Sequence, residues 1–151
     1  MDCADLLIWK AVCAILNSSA VSAITVTTAK GDGVIDDTAA IQSDINKLPA
    51  GGGLLYFPPG KFLLTAPVII NRGCITIQGS GQSTVFQSHA DYGHVFDARP
   101  DVDPVVPLAF TDLQFFNFQI QSNVSRTNGS AIHTKWTHAA TFRDVRIGSL
   151  Q

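Results

Sequence analysis

Hydrophobic and polar positions change their period along this chain, and the changes divide it into elements. Ile24, Val26 and Thr28 alternate with polar or small residues, which predicts a short strand. Lys30-Gly31-Asp32-Gly33 then reads as a turn. Asp36-Asp37-Thr38 precedes Ala39, Ala40, Ile41, Ile45 and Leu48, whose three- and four-residue spacing predicts a helix over 38–48. Asp or Thr at its start suits the unpaired N–H groups and the positive end of the helix dipole. Pro49 and Gly51-Gly52-Gly53 stop it. Beyond that point the runs shorten: Leu54 to Phe57 closed by Pro58-Pro59-Gly60, then Phe62 to Leu64, Val68 to Ile70 and Ile75 to Ile77. Runs this short, punctuated by turn residues, predict strands.

Farther on, Phe115-Phe116-Asn117-Phe118-Gln119-Ile120 matches Phe142-Arg143-Asp144-Val145-Arg146-Ile147 at a spacing of 27 residues. That period suits one strand-turn-strand coil of a solenoid. In such a coil Phe, Val and Ile point inward, and Gln119, Arg143 and Arg146 point outward. Asn117 and Asp144 fall at the same bend, where short polar side chains satisfy turn backbone. The helix over 38–48 is expected to cover the first coil. Nothing comparable follows Ile147, so the expectation is a fold truncated at its C-terminus.

Composition agrees with this picture. Apolar residues make up 46% and charged residues 15% of the 151 positions, and the net charge is −2. These values argue against a disordered chain and against a nucleic-acid binder, which carries a basic stripe. All 12 acidic residues are Asp, a turn and cap former, and none is the helix former Glu. Cys3, Cys13 and Cys74 make no disulfide framework, and Cys74, inside a strand-like run, is expected as a buried free thiol; neither metal nor redox chemistry is inferred. Residues 1–23 form a leader ahead of the domain at 24–151. Its apolar stretch Leu6–Leu16 and the small residues Ala20 to Ala23 fit a secretory signal, whereas Asp2 and Asp5 with no basic residue before the stretch fit an N-terminal helix. The stretch is too short for a membrane span.

The block Gly31-Asp32-Gly33-Val34-Ile35-Asp36-Asp37-Thr38-Ala39-Ala40-Ile41-Gln42 resembles the pectate-lyase-like superfamily, in its polygalacturonase- and rhamnogalacturonase-related branch. Gly51 to Phe62, including Pro58, Pro59 and Gly60, and Ile75 to Gly81 are similar to that family's next two signatures, in the same order. The resemblance implies a mainly β fold, a right-handed parallel β-helix with an N-terminal capping helix. It also implies a protein that degrades or binds polysaccharide, a glycoside hydrolase or lyase acting on acidic, pectin-like glycan, without a cofactor. The alternatives are a phage tail spike or fibre, which would be a homotrimer bound to host surface glycan, and a truncated module without catalysis. Location follows the choice: secreted, or on the virion. The matching blocks mark fold and not chemistry; Asp36 and Asp37 read as cap and turn residues, and Gly31 and Gly33 supply unusual backbone angles.

Candidates for chemistry are therefore sparse. Hydrolysis of a glycosidic bond needs two carboxylates, and elimination needs a base with a cation beside the uronate carboxylate. Asp144 with Arg143, or Asp112 with His133, supplies part of such a set. The same residues also read as turn residues and a surface or stacking histidine. Lys135-Trp136-Thr137-His138 reads as a binding feature, with Trp136 stacking on a sugar ring and Lys135 or His138 contacting its carboxylate. Asn17, Asn123 and Asn128 each open an N-glycosylation acceptor pattern, the latter two within a loop at 121–130.

Overall fold

The computed structural model describes residues 22–91, 93–100, 112–125, 127–137 and 139–149. The leader before residue 22 and His138 lie outside these. Among the described residues eleven strands and one helix follow in order: β1 (Ala23–Thr25), β2 (Asp32–Asp36), α1 (Thr38–Lys47), β3 (Gly53–Phe57), β4 (Gly60–Leu64), β5 (Val68–Ile70), β6 (Ile75–Gly79), β7 (Thr84–Ser88), β8 (Phe96–Ala98), β9 (Leu113–Ser122), β10 (Ile132–Thr134) and β11 (Ala140–Ser149). Every strand pairing among the described residues is parallel. The larger sheet runs β1-β3-β6-β9-β7-β4-β2 with β11 on β9, and the smaller one runs β10-β8-β5. The larger sheet curls into a half-barrel, an arrangement consistent with a β-helix.

Strand β9 accounts for the curl. Its first half pairs with β6 through Gln114 to Phe116, and its second half pairs with β7 through Gln119 to Ser122. Asn117 lies between, at φ 59°. Strand β11 repeats the pattern one coil on, with Phe115 opposite Phe142 and Ile120 opposite Ile147, so the 27-residue match is a true ladder register. Asp144 occupies the matching bend at φ 54°. Left-handed backbone favours Asn, Asp and Gly because their side chains meet least resistance there. Parallel strands with alternating side chains send Leu55, Phe57, Phe62, Ile77, Phe86, Phe96, Phe115 and Phe118 into one core. Phe86 is its hub, with ring centroids of Phe57, Phe96 and Phe118 at 4.8, 4.9 and 5.1 Å, each edge-on.

Helix α1 buries Ile41 and Ile45. Its Gln42 treats the edge of β5 as a strand would: the amide nitrogen donates to Ile69 O at 3.0 Å, and the amide oxygen accepts from Ile69 N at 2.8 Å. An otherwise bare sheet edge is thereby occupied. The two aspartates before the helix divide their work. Asp36 accepts from the Thr38 N–H and hydroxyl and from the Thr65 hydroxyl. Asp37 is buried, makes no cap bond, and turns back to accept from Lys30 N and Gly31 N at 2.6 and 3.0 Å. Gly31 and Gly33 take φ 61° and 76° as their roles in the turn require.

Two expectations change. Cys74 is not a buried free thiol: it is half-buried and disulfide-bonded, with its partner outside the described residues. The reason is position, since Cys74 stands at a bend of φ 55° just before β6 instead of inside a strand. In addition, the Gly31–Asp32–Gly33 turn is entered by an irregular strand, β2, which pairs with β4 through a register shift between Asp32 and Asp36. No helix among the described residues is long and apolar enough to cross a membrane.

Candidate functional site

Among the described residues, the smaller sheet and its approach carry a group of three metal-capable side chains, His94, Asp97 and His133. Ladder register places Ile69 on β5, Asp97 on β8 and His133 on β10 side by side. Period-two alternation drives Phe96 into the core and leaves Asp97 on the opposite face. Asp97 is nonetheless only 4% exposed, because two partners close on it. His133 Nδ1 lies 2.9 Å from Oδ1, and Arg99 Nε lies 3.0 Å from Oδ2. A carboxylate accepts and cannot donate, so the proton of the neutral imidazole sits on Nδ1 and Nε2 carries the lone pair. This is the arrangement by which a carboxylate orients a histidine for proton transfer or metal ligation.

A second imidazole stacks on the first. The His94 and His133 rings are parallel within 11° at 4.1 Å between centroids. His94 Nδ1 accepts from the Ser130 N–H at 3.3 Å and lies 2.9 Å from its hydroxyl, which places the His94 proton on Nε2. One donor atom from each of His94, Asp97 and His133 lies within 4.8 Å of the other two.

Cations and an aromatic flank this cluster. Lys135 follows β10 and its N–H donates to Ala98 O at 2.8 Å, so it stands next to Arg99 on the adjoining coil. Its Nζ is 6.0 Å from the centre of the Trp136 ring, and Trp136 is 45% exposed at φ 59°. A sugar ring can stack on such an exposed indole while a neighbouring cation meets its carboxylate.

Of the residues singled out in the sequence, His133, Lys135 and Trp136 are brought together here. The suggested pair of Asp112 with His133 does not form: His133 holds Asp97, and Asp112 accepts from Gln114 Nε2 at 3.2 Å, at a bend of φ 55°. Arg143 and Asp144 lie on β11 in the other sheet, with the Arg143 guanidinium 4.6 Å above the Phe116 ring. Asp32 and Asp36 also belong to the fold. Asp32 is held below the usual carboxylate range by the Ile35 and Val34 N–H groups. For Asp36, partial burial pushes the carboxyl up, but the hydrogen bonds from Thr38 and Thr65 together outweigh it and hold the group low.

His94, Asp97, Arg99 and Ser130 were not singled out from the sequence. A signal for them exists: His94-Val95-Phe96-Asp97-Ala98-Arg99 aligns with Ser130-Ala131-Ile132-His133-Thr134-Lys135 as polar, apolar, apolar, polar, small or polar, and cation. That alignment is the ladder register itself, 36 residues apart.

Comparison with known proteins sets this chain in a family. Residues 39% identical over a 66-residue alignment occur in mannuronan C5-epimerase AlgE6 of Azotobacter vinelandii, covering 38% of this chain and 8% of that one. AlgE5 of the same organism is 45% identical over 53 residues, covering 34% of this chain and 5% of its own. The solved structure of Geobacillus virus E2 ORF18 superposes with a TM-score of 0.68 at 26% identity, over 87% of this chain and 26% of the viral one. The chain thus spans less than a tenth of those epimerases and about a quarter of the viral protein. Residues 23–151 match the family described as rhamnogalacturonase A/epimerase, pectate lyase-like, and the chain belongs to that family.

Proposed function

We propose that this chain is part of a polysaccharide-acting protein, and that the face across β5, β8 and β10 holds an acidic glycan. The observation that carries the reading is the gathering of Arg99, Lys135 and exposed Trp136 beside His133 on adjoining coils. Two cations in line suit a chain of uronate carboxylates, and an indole face suits the pyranose ring between them. Family membership and the epimerase relatives support a saccharide substrate. The finer architecture belongs to the same proposal: a right-handed β-helix domain over 24–151 following the leader at 1–23, with α1 covering the first coil. Nuclear magnetic resonance titration with oligogalacturonate and oligomannuronate tests it. Signals of Arg99, Lys135 and Trp136 should move with the acidic oligomers and stay still with a neutral glucan. Equal response to both, or none, refutes the reading. Reducing-sugar release and unsaturated-uronate absorbance then separate hydrolysis from elimination.

A second reading, a virion-associated tail spike or fibre that binds host glycan, is supported by the viral chain's likeness over most of this one. A trimer that resists detergent favours it, and a monomer in solution counts against it.

A further inference from the structure

We infer that His94, Asp97 and His133 form a binding site for a divalent first-row transition metal of the zinc and cobalt class. This inference stands apart from the glycan reading, since it concerns only what the cluster can coordinate. Two imidazoles and one carboxylate are a donor set that selects such ions, whereas calcium and magnesium take oxygen. The cluster is held from behind. Arg99 fixes the second oxygen of Asp97. An ion held by His133 and Asp97 displaces the proton now between them, and ligation by His94 gives up the bond that its Nδ1 accepts from Ser130 N–H or turns that nitrogen into a donor to the Ser130 hydroxyl. The Arg99 contact is of the outer kind that ligating carboxylates use.

The geometry defines what binding requires. Bonds of about 2.0–2.2 Å place the donors of a tetrahedral ion about 3–4 Å apart. The donors here span up to 4.8 Å, and parallel rings cannot both aim a nitrogen lone pair at one point. The stacked imidazoles must therefore splay and close on the ion. Both are half-buried, whereas Asp97 is buried and anchored, so the rings move toward a fixed carboxylate. No metal motif is visible in sequence because one ligand stands 36 residues from its partner.

Titration of the full chain with Co2+, followed by visible absorption, and with Zn2+, followed by calorimetry, tests the site. One ion per chain should bind, with visible bands of a nitrogen- and oxygen-ligated ion, and Ca2+ should not compete. His94→Gln and His133→Gln should each abolish the bands, and Asp97→Asn, which removes the charged ligand, should weaken binding by at least about 100-fold, beyond what loss of an outer partner costs. Far-UV circular dichroism checks that each variant is folded. A measurement without variants runs alongside: Zn2+ should shift the imidazole nitrogen signals of both histidines in the unaltered protein. Absence of saturable binding, binding that survives both histidine substitutions, a thiolate-to-cobalt band, or binding without those shifts would each overturn the inference.

Discussion

The bond between Asp97 and His133 offers the sharpest test of the site's geometry, because one partner is buried and the other is not. The Asp97 side chain is 5% exposed, that of His133 is 36% exposed, and that of Arg99 is 54% exposed. A hydrogen bond to a charged group contributes about 1.5–3 kcal/mol when sheltered. His133 lies partly in water, so the lower part of that range applies. The Arg99 pair is more exposed still and adds at most about 1 kcal/mol. Asp97→Ala should therefore cost about 2–3 kcal/mol, the sum of both bonds less what the freed His133 and Arg99 regain from water. His133→Ala should cost about 1–2 kcal/mol, since Asp97 keeps Arg99.

The double variant decides between a real bond and mere proximity. It should be less destabilised than the sum of the single variants by about 1–1.5 kcal/mol, a coupling that neighbours in one hydrogen-bonded pair display. Urea unfolding at one fixed pH measures all four corners of the cycle. A coupling energy below about 0.3 kcal/mol, within the additivity of independent sites, would refute the pairing and with it the tautomer assigned to His133.

Three further outcomes follow from the fold. Phe86→Ala removes a fully buried ring that touches the rings of Phe57, Phe62, Phe96 and Phe118, and should cost about 3–5 kcal/mol in urea unfolding. A loss below about 1.5 kcal/mol would show that the aromatic hub is not packed as described. Gly52→Ala forces a Cβ to within 2.0 Å of the Cys74 carbonyl oxygen at φ +90°, and should destabilise more than any other alanine substitution at the coil bends; an unchanged melting temperature would contradict that close approach. The low pKa of Asp36 means that its stabilisation is present above the unfolded carboxyl value of about 3.9 and is lost as pH falls through the lower folded value. Asp36→Asn should therefore shrink the difference in melting temperature between pH 7 and pH 3, and an unaltered difference would remove Asp36 from the acid response.

Much of the fold was legible because its elements obey local rules. The helix over 38–48 appears as Thr38–Lys47, and the apolar runs at 54–57, 62–64, 68–70 and 75–77 all fall in strands. Strands β7, β8 and β10 were missed for a physical reason. They mix polar with apolar residues, with Thr84, Gln87 and Ser88 in β7, Asp97 in β8, and His133 and Thr134 in β10, so no continuous apolar run marks them, and their stability comes from the parallel neighbours. The repeat was legible only between the two coils of equal length. Gly53 opposes Ile75, Thr76 opposes Gln114, and Phe115 opposes Phe142, at separations of 22, 38 and 27 residues. A ladder does not require equal spacing in sequence, because extra residues are carried in the bends and loops between strands.

That freedom also explains why the site was half-seen. His133, Lys135 and Trp136 announce themselves as side chains able to contact a sugar, but the partner that gives His133 its orientation sits on the preceding coil at Asp97. The aspartates that did look catalytic answer to the backbone instead. Asp112 stands just before β9 at φ 55°, as Cys74 stands before β6 at φ 55° and Gly52 before β3 at φ 90°. Asp144 shares its bend with Asn117. Positions that demand left-handed backbone favour Gly, Asn and Asp whatever the chemistry nearby, although Cys74 and Trp136 also take them here. In a stacked-coil fold an aspartate at a bend is therefore weak grounds for catalysis, whereas a buried aspartate in a short strand is strong grounds for a site. Nothing in the backbone asks for a carboxylate at Asp97, and its desolvation is offset only because His133 and Arg99 meet it.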